Sequence, residues 1–347
     1  MSKVPAVRTV ITLAIGFSGA VVAVYLGLPA GALLGSTLAV FLASCFRVTG
    51  AVPTSFRTVA FSAIGCSLGS GLTRNFFGQA MQWPLSLLIL TLSVVVIILF
   101  CSWLLMKFYR QSAVTAILST APGALAYTLS ITAEGIGDAR SIVIIQSIRV
   151  LGLIIVLPLI LDQLSAGPAG PAGVPAPQAM APAGFAILFL ATLAAGRFFE
   201  KRRLPSAYLL TGTVISSIAH VSGLVSGRPA GTILFLGFAV TGTVVGSRFS
   251  SISLRDLRSL LKVSLVILFA STAISALCAE LTSVLLSIPF GKVFVAYAPG
   301  AIEAMAAMAL SLGYDPTFVA GHHLYRLGLL FILIPVLLRL AGSKIHT

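Results

Sequence analysis

The chain has 347 residues, of which 58% are hydrophobic and only 9% charged. Soluble domains carry roughly 25% charged residues, so this chain lacks the polar material to cover a soluble fold of its size. Its formal charge of +14 comes from basic residues placed singly or in short clusters between apolar segments. That is the positive-inside pattern of membrane proteins, and it argues against nucleic acid as a partner.

Hydropathy predicts twelve apolar segments. The first, 10–28, follows Lys3 and Arg8. It is too long for a signal peptide's apolar core and more spans follow, so it is expected to stay as a first helix. Next come 30–46, 58–72, 83–108, 113–133 and 141–161. The fourth has a single charge, Lys107, and is long enough to cross a hydrocarbon core of about 30 Å. The stretch 167–175 is uncharged and rich in Pro and Gly, so it cannot hold a regular helix. It is expected to link two halves. Beyond it lie 183–199, 204–219, 230–246, 260–286, 293–312 and 317–340. Cys45, Cys66, Cys101 and Cys278 fall inside apolar stretches with no CxxC pair, which suits small buried hydrophobes. The prediction is an all-α polytopic membrane protein. Its first membrane repeat is 1–163, its linker 164–182 and its second repeat 183–347.

The halves match at a constant offset of 177 residues. Ala121-Pro122-Gly123-Ala124 returns as Ala298-Pro299-Gly300-Ala301. Asp138 returns as Asp315, Arg149 as Arg326 and Pro158 as Pro335. Gly65, Gly69 and Ser70 return as Gly242, Gly246 and Ser247. Leu28-Pro29 meets Leu204-Pro205 at an offset of 176, with one gap. Apolar positions would match by composition alone; prolines, glycines, an Asp and an Arg holding one offset would not. Internal duplication follows.

Charge bias then orients the chain. Lys3 and Arg8 place the N-terminus in the cytoplasm, and Arg47, Arg57, Lys107 and Arg110 follow at two-crossing intervals. The linker has no basic residue, whereas Arg197, Lys201, Arg202 and Arg203 just beyond it form a juxtamembrane cluster suited to anionic headgroups. The linker is therefore expected outside, with an odd number of crossings in each half. Six segments and five crossings leave one segment broken or re-entrant, and the Pro-Gly segment is the candidate. Arg248, Arg255, Arg258 and Lys262 then fall inside, as do Arg339 and Lys344. The repeats are inverted on this reading, as in many secondary transporters.

Three groups of residues could carry chemistry. Pro122-Gly123 and Pro299-Gly300 interrupt apolar segments. Proline removes a backbone donor, and in lipid a broken helix is tolerable only where it is buried in protein or lines a wet cavity. The break is either a simple kink or a site whose freed backbone groups bind solute or ion. Arg149 and Arg326 lie deep in apolar helices, where arginine costs at least ~2.5 kcal/mol on insertion scales. Gln146 and His323 stand three residues before them on the same helical face. These arginines either lock backbone carbonyls or meet an anion. Asp138 and Asp315 precede the same helices as caps or as ion-pair partners. Glu303 follows the second Pro-Gly where the first half has Ala126, and an acid beside a helix break could carry a coupling ion. Glu280 is a weaker candidate. His322 and His323 are adjacent, too divergent on a helix to chelate one metal, and no metal or cofactor site is expected.

In order, the motifs are Gly-Ala-Leu-Leu-Gly at 31–35, Gly-x-x-x-Gly-Ser at 65–70, Pro-Gly, Asp and Gln-x-x-Arg. Present twice, they resemble the AbrB-type membrane proteins of Gram-negative bacteria over nearly the whole chain. That family's usual second glycine after Pro-Gly is alanine here, at Ala124 and Ala301, and Gln-x-x-Arg becomes His323-x-x-Arg326. Members are labelled ammonia monooxygenases or regulators of gene expression, and the family is similar to inverted-repeat secondary transporters. The resemblance implies a multi-pass protein of the bacterial inner membrane, and the charge bias is expected to place both termini in the cytoplasm. The expectation is a transporter of a small anionic or zwitterionic solute rather than an enzyme. Its partners would be the bilayer, that solute and, through Gly/Ser-rich segments such as 64–72, a second copy of the chain. The alternatives are an indirect effect on gene expression and membrane monooxygenase chemistry.

Overall fold

A computed structural model of the chain describes residues 6–71, 83–133, 135–164, 179–202, 204 and 206–342. The 167–175 linker stretch and Lys3, Arg203, Pro205 and Lys344 lie outside the described residues. The described chain is helical, apart from an isolated parallel bridge between Ala179 and Arg228. Helix is what an apolar solvent demands, because it satisfies backbone groups within one segment.

In chain order the helices are α1 (Ala6–Tyr25), α2 (Gly31–Cys45), α3 (Thr54–Gly69), α4 (Trp83–Tyr109), α5 (Ala113–Thr120), α6 (Leu125–Thr132) and α7 (Ala139–Leu164). Then come α8 (Pro182–Lys201), α9 (Ala207–Val221), α10 (Gly231–Ser247), α11 (Leu254–Leu286), α12 (Phe290–Tyr297), α13 (Ile302–Ser311) and α14 (Pro316–Leu340). Among the described residues seven helices are long and apolar enough to cross a membrane: α1, α4, α7, α8, α10, α11 and α14. Together with the composition, they make this a helical membrane protein.

Local signals set the helix ends. Ala30 and Ser206, matched at the 176 offset, both take left-handed backbone (φ 51°) just before α2 and α9. The predicted start at 204 therefore moves to Ala207. Helix α11 begins at Leu254, six residues before the hydropathy boundary. Ser253 caps it by accepting from the Asp256 N–H at 3.1 Å, and its first turns are charged, so an apolar scan misses them.

The chain forms two compact units, each drawing on both sequence halves. The first holds α1–α3, the end of α7, α8–α10 and α13. Its helices approach closely through small residues. A Cβ on Gly65 of α3 would lie 2.5 Å from the Leu209 carbonyl of α9, and one on Gly246 of α10 would lie 2.7 Å from the Thr37 carbonyl of α2. Ser216 of α9 donates to the Cys66 carbonyl of α3 at 2.6 Å. This is how helices associate where burial of apolar surface drives nothing.

The second unit holds α4–α6, most of α7, α11, α12 and most of α14. Ile97, Cys101 and Leu105 of α4 pack with Ala116 of α5, Ile145 of α7, and Val263 and Ile267 of α11. Arg140 at the start of α7 pairs with Asp256 at the start of α11, so these two helices begin on the same side.

Candidate functional site: two helix breaks that meet

The first break lies between α5 and α6. Pro122 lacks an N–H, and Gly123 takes φ +79°, a left-handed conformation that glycine adopts without strain. The chain then doubles back. The Asp138 N–H donates to Thr115 Oγ1 at 3.0 Å, and a Cβ on Gly137 would touch Val114 and Leu118. The two ends of this segment thus lie side by side, as in a helical hairpin. Gln146 of α7 ties its two limbs together. Its Nε2 donates to the Leu118 carbonyl at 2.8 Å and to Thr128 Oγ1 at 3.2 Å.

Arg149, one turn further along α7, is fully buried (0% exposed). Its Nη1 donates to the Thr120 carbonyl at 3.0 Å and its Nη2 to the Ala121 carbonyl at 2.9 Å. Those are carbonyls that the break deprives of helical donors. A guanidinium presents its donors as a rigid fork and suits two adjacent acceptors.

The second break repeats two of these bonds 177 residues on. His323 Nε2 donates to the Val295 carbonyl at 3.0 Å, where Gln146 used Leu118. Arg326, 2% exposed, donates from Nη1 to the Ala298 carbonyl at 2.6 Å and from Nη2 to the Gly300 carbonyl at 2.7 Å. His323 Nδ1 lies 2.7 Å from Arg326 Nη2. With Nε2 donating to Val295, Nδ1 is the acceptor, so one neutral tautomer satisfies both contacts.

The two breaks lie against one another within the second unit. A Cβ on Gly123 would be 2.7 Å from Arg326 Nη2 and 2.9 Å from the Gly300 carbonyl. Pro122, Gly123, Gln146, Arg149, Pro299, Gly300, His323 and Arg326 are therefore assembled in one unit.

The remaining candidates are placed otherwise. Asp138 caps α7, accepting from the Arg140 N–H at 3.1 Å, the Ser141 N–H at 3.3 Å and Ser141 Oγ at 2.5 Å. Asp315 accepts from the Thr317 N–H at 3.0 Å and the Phe318 N–H at 3.3 Å at the start of α14. Glu303 belongs to the first unit, where it accepts from Ser206 Oγ at 2.5 Å. It lines a cavity of about 150 Å³ with Arg57, Glu200 and Tyr208. Glu280 is exposed on α11.

Sequence reasoning missed several partners. Thr115 and Thr128 close the first hairpin, and nothing in their local sequence marks them. His322 is buried with Ser86 Oγ 2.5 Å from its Nε2 and ring contacts to Trp83 and Tyr297. Ser206 did carry a signal, since it replaces Ala30 of the first half.

A family model described as transition state regulatory protein AbrB matches residues 32–342. The chain belongs to the AbrB family. It is 25% identical over 322 residues to AbrB of Escherichia coli (strain K12), covering 91% of each chain; that protein's name proposes a regulator. It is 24% identical over 292 residues to YhjN of Bacillus subtilis (strain 168), covering 80% of this chain and 76% of that one. The name YhjN assigns no function.

Proposed function

We infer that this AbrB-family protein is a secondary transporter of a small anionic or zwitterionic solute, not an enzyme, and works without cofactor or resident metal. One observation carries the reading: two interrupted helices meet inside an apolar protein, each held by a buried arginine. Broken helices at membrane depth are costly unless protein or a wet pathway surrounds them, and transporters place solutes at such breaks. The arginines hold the break carbonyls and make the site electropositive.

The reading includes two inverted repeats of five crossings and one hairpin each. Crossings α1–α4 and α7 make the first, and α8–α11 and α14 the second. Both termini then face the cytoplasm of a bacterial inner membrane. The Arg140–Asp256 pair supports this arrangement, because charge bias puts the starts of α7 and α11 on the same, cytoplasmic side.

A reconstituted-vesicle assay tests the reading. Candidate solutes should show flux that Arg149→Ala and Arg326→Ala abolish; equal flux in folded variants would remove the site. The regulator name borne by the family favours a second reading, an indirect effect on gene expression. A folded, transport-dead variant separates the two: regulation that survives in it would stand apart from transport.

A further inference from the structure

The two halves of the chain differ most tellingly at one place. At the matched offsets, Ser206 replaces Ala30, Tyr208 replaces Ala32 and Glu303 replaces Ala126. All three replacements line the same cavity of about 150 Å³ in the first unit, together with Arg57 and Glu200. Three alanines of one half have become polar in the other, and the three polar residues meet.

Charges of both signs gather at this cavity, and Arg248 beside it interacts electrostatically with Glu303 and with Arg57. Ser206 Oγ donates to Glu303 Oε1 at 2.5 Å, and Tyr208 Oη donates to Glu200 Oε2 at 2.7 Å. Each carboxylate thus accepts a hydrogen bond from a neutral hydroxyl. The guanidinium of Arg57 sits over the Phe61 ring at 5.9 Å. Among the described residues no ion pair joins Arg57 to either glutamate; the pair formed is Arg140 with Asp256, in the other unit. Two carboxylates and a guanidinium around one small space complement a ligand carrying both signs.

We propose that this cavity binds a small zwitterion of amino-acid type, its ammonium on Glu303 and Glu200 and its carboxylate on Arg57. At about 30 Å³ per water, the volume holds roughly five waters, which is room for a compact molecule of about six non-hydrogen atoms. Arg57, Glu200 and Ser206 lie at the ends of α3, α8 and α9 that charge bias places in the cytoplasm, so the cavity is a cytoplasmic mouth. The proposal rests on the transport reading above and narrows its solute to zwitterions.

The test uses the full chain in nanodiscs, with free amino acids as probes and the thermal unfolding midpoint as readout. A small amino acid should raise the midpoint saturably. Its methyl ester, which keeps only the ammonium, and its N-acetyl derivative, which keeps only the carboxylate, should each bind ~10-fold more weakly or worse. Glu303→Gln and Arg57→Gln should each abolish the shift. If Glu303→Gln does not fold, Ser206→Ala and the exposed Arg57 position carry the test. A folded wild type that responds to no free amino acid overturns the proposal, as does a single-charge derivative that binds as tightly as its parent. Vesicle flux keeps the two claims apart. Binding without flux sinks the transport reading and leaves the cavity; flux of a plain anion untouched by Glu303→Gln does the reverse.

Discussion

At the scale of single residues, the buried arginines are anchors of the backbone before they are anything else. Each contributes two or more hydrogen bonds to carbonyls that a broken helix leaves behind, and bonds to a charged donor are worth ~1.5–3 kcal/mol each. That offsets an insertion cost of ~2.5–3.5 kcal/mol. A lysine keeps the charge but loses the fork. Arg149→Lys should therefore leave a buried carbonyl unpaired and cost about 1–3 kcal/mol, seen as a lower unfolding midpoint in detergent. Arg326→Lys should cost more, because it also strips His323 Nδ1 of its donor. Equal midpoints for both variants and wild type would contradict the anchoring role. Gly123 gives a sharper comparison. Alanine at its left-handed backbone costs about 1–2 kcal/mol, and here its methyl would also meet Arg326 and Gly300. Gly135 has a similar φ of +82° with nothing within 4 Å of a built Cβ. Gly123→Ala should abolish vesicle flux and Gly135→Ala should keep it; loss in both would assign the effect to backbone strain alone.

At the scale of elements, the Pro-Gly motif decides where a helix stops, but not where the chain goes next. Proline and glycine account for the ends of α5 and α12. The return of the first hairpin depends on Thr115 reaching the Asp138 N–H and on Gln146 bridging Leu118 and Thr128. Those contacts join residues 18 to 28 apart, so no local pattern announces them. Helix pairing in the first unit rests instead on glycine. Gly65→Leu should force α3 from α9, since even one carbon there meets the Leu209 carbonyl. The expected result is loss of folded, monodisperse protein on size-exclusion chromatography. Gly328 of α14, with nothing within 4 Å of a built Cβ, is the control: Gly328→Ala should elute as wild type. Wild-type behaviour of Gly65→Leu would mean that α3 and α9 are not tightly apposed.

At the scale of the whole molecule, topology is the open variable that an experiment reaches most directly. A cysteine at position 170, with Cys45, Cys66, Cys101 and Cys278 replaced, should label from the periplasmic side with an impermeant maleimide. One at Ser251, ahead of the α11 cap, should be protected until the membrane is opened. Protection of position 170 with labelling of Ser251 would reverse the orientation, whereas the same result at both positions would undo the inverted arrangement.

The sequence by itself determined that this is a helical membrane protein with two breaks, and which residues repeat around them. Those properties depend on composition, hydropathy and offset, all of which are linear in the chain. Arg149 and Arg326 stood out because burying a charge in an apolar segment needs a reason, and Glu303 because it broke a repeat. Only the tertiary structure decided what each of them touches. It gave the arginines backbone carbonyls, set Gly123 against Gly300 and Arg326, and carried Glu303 to Ser206 in the other compact unit. Matching motifs present the two halves of the sequence with the same local choices. Which residues then meet is settled by contacts between positions far apart in the chain, through packing that no window of sequence contains.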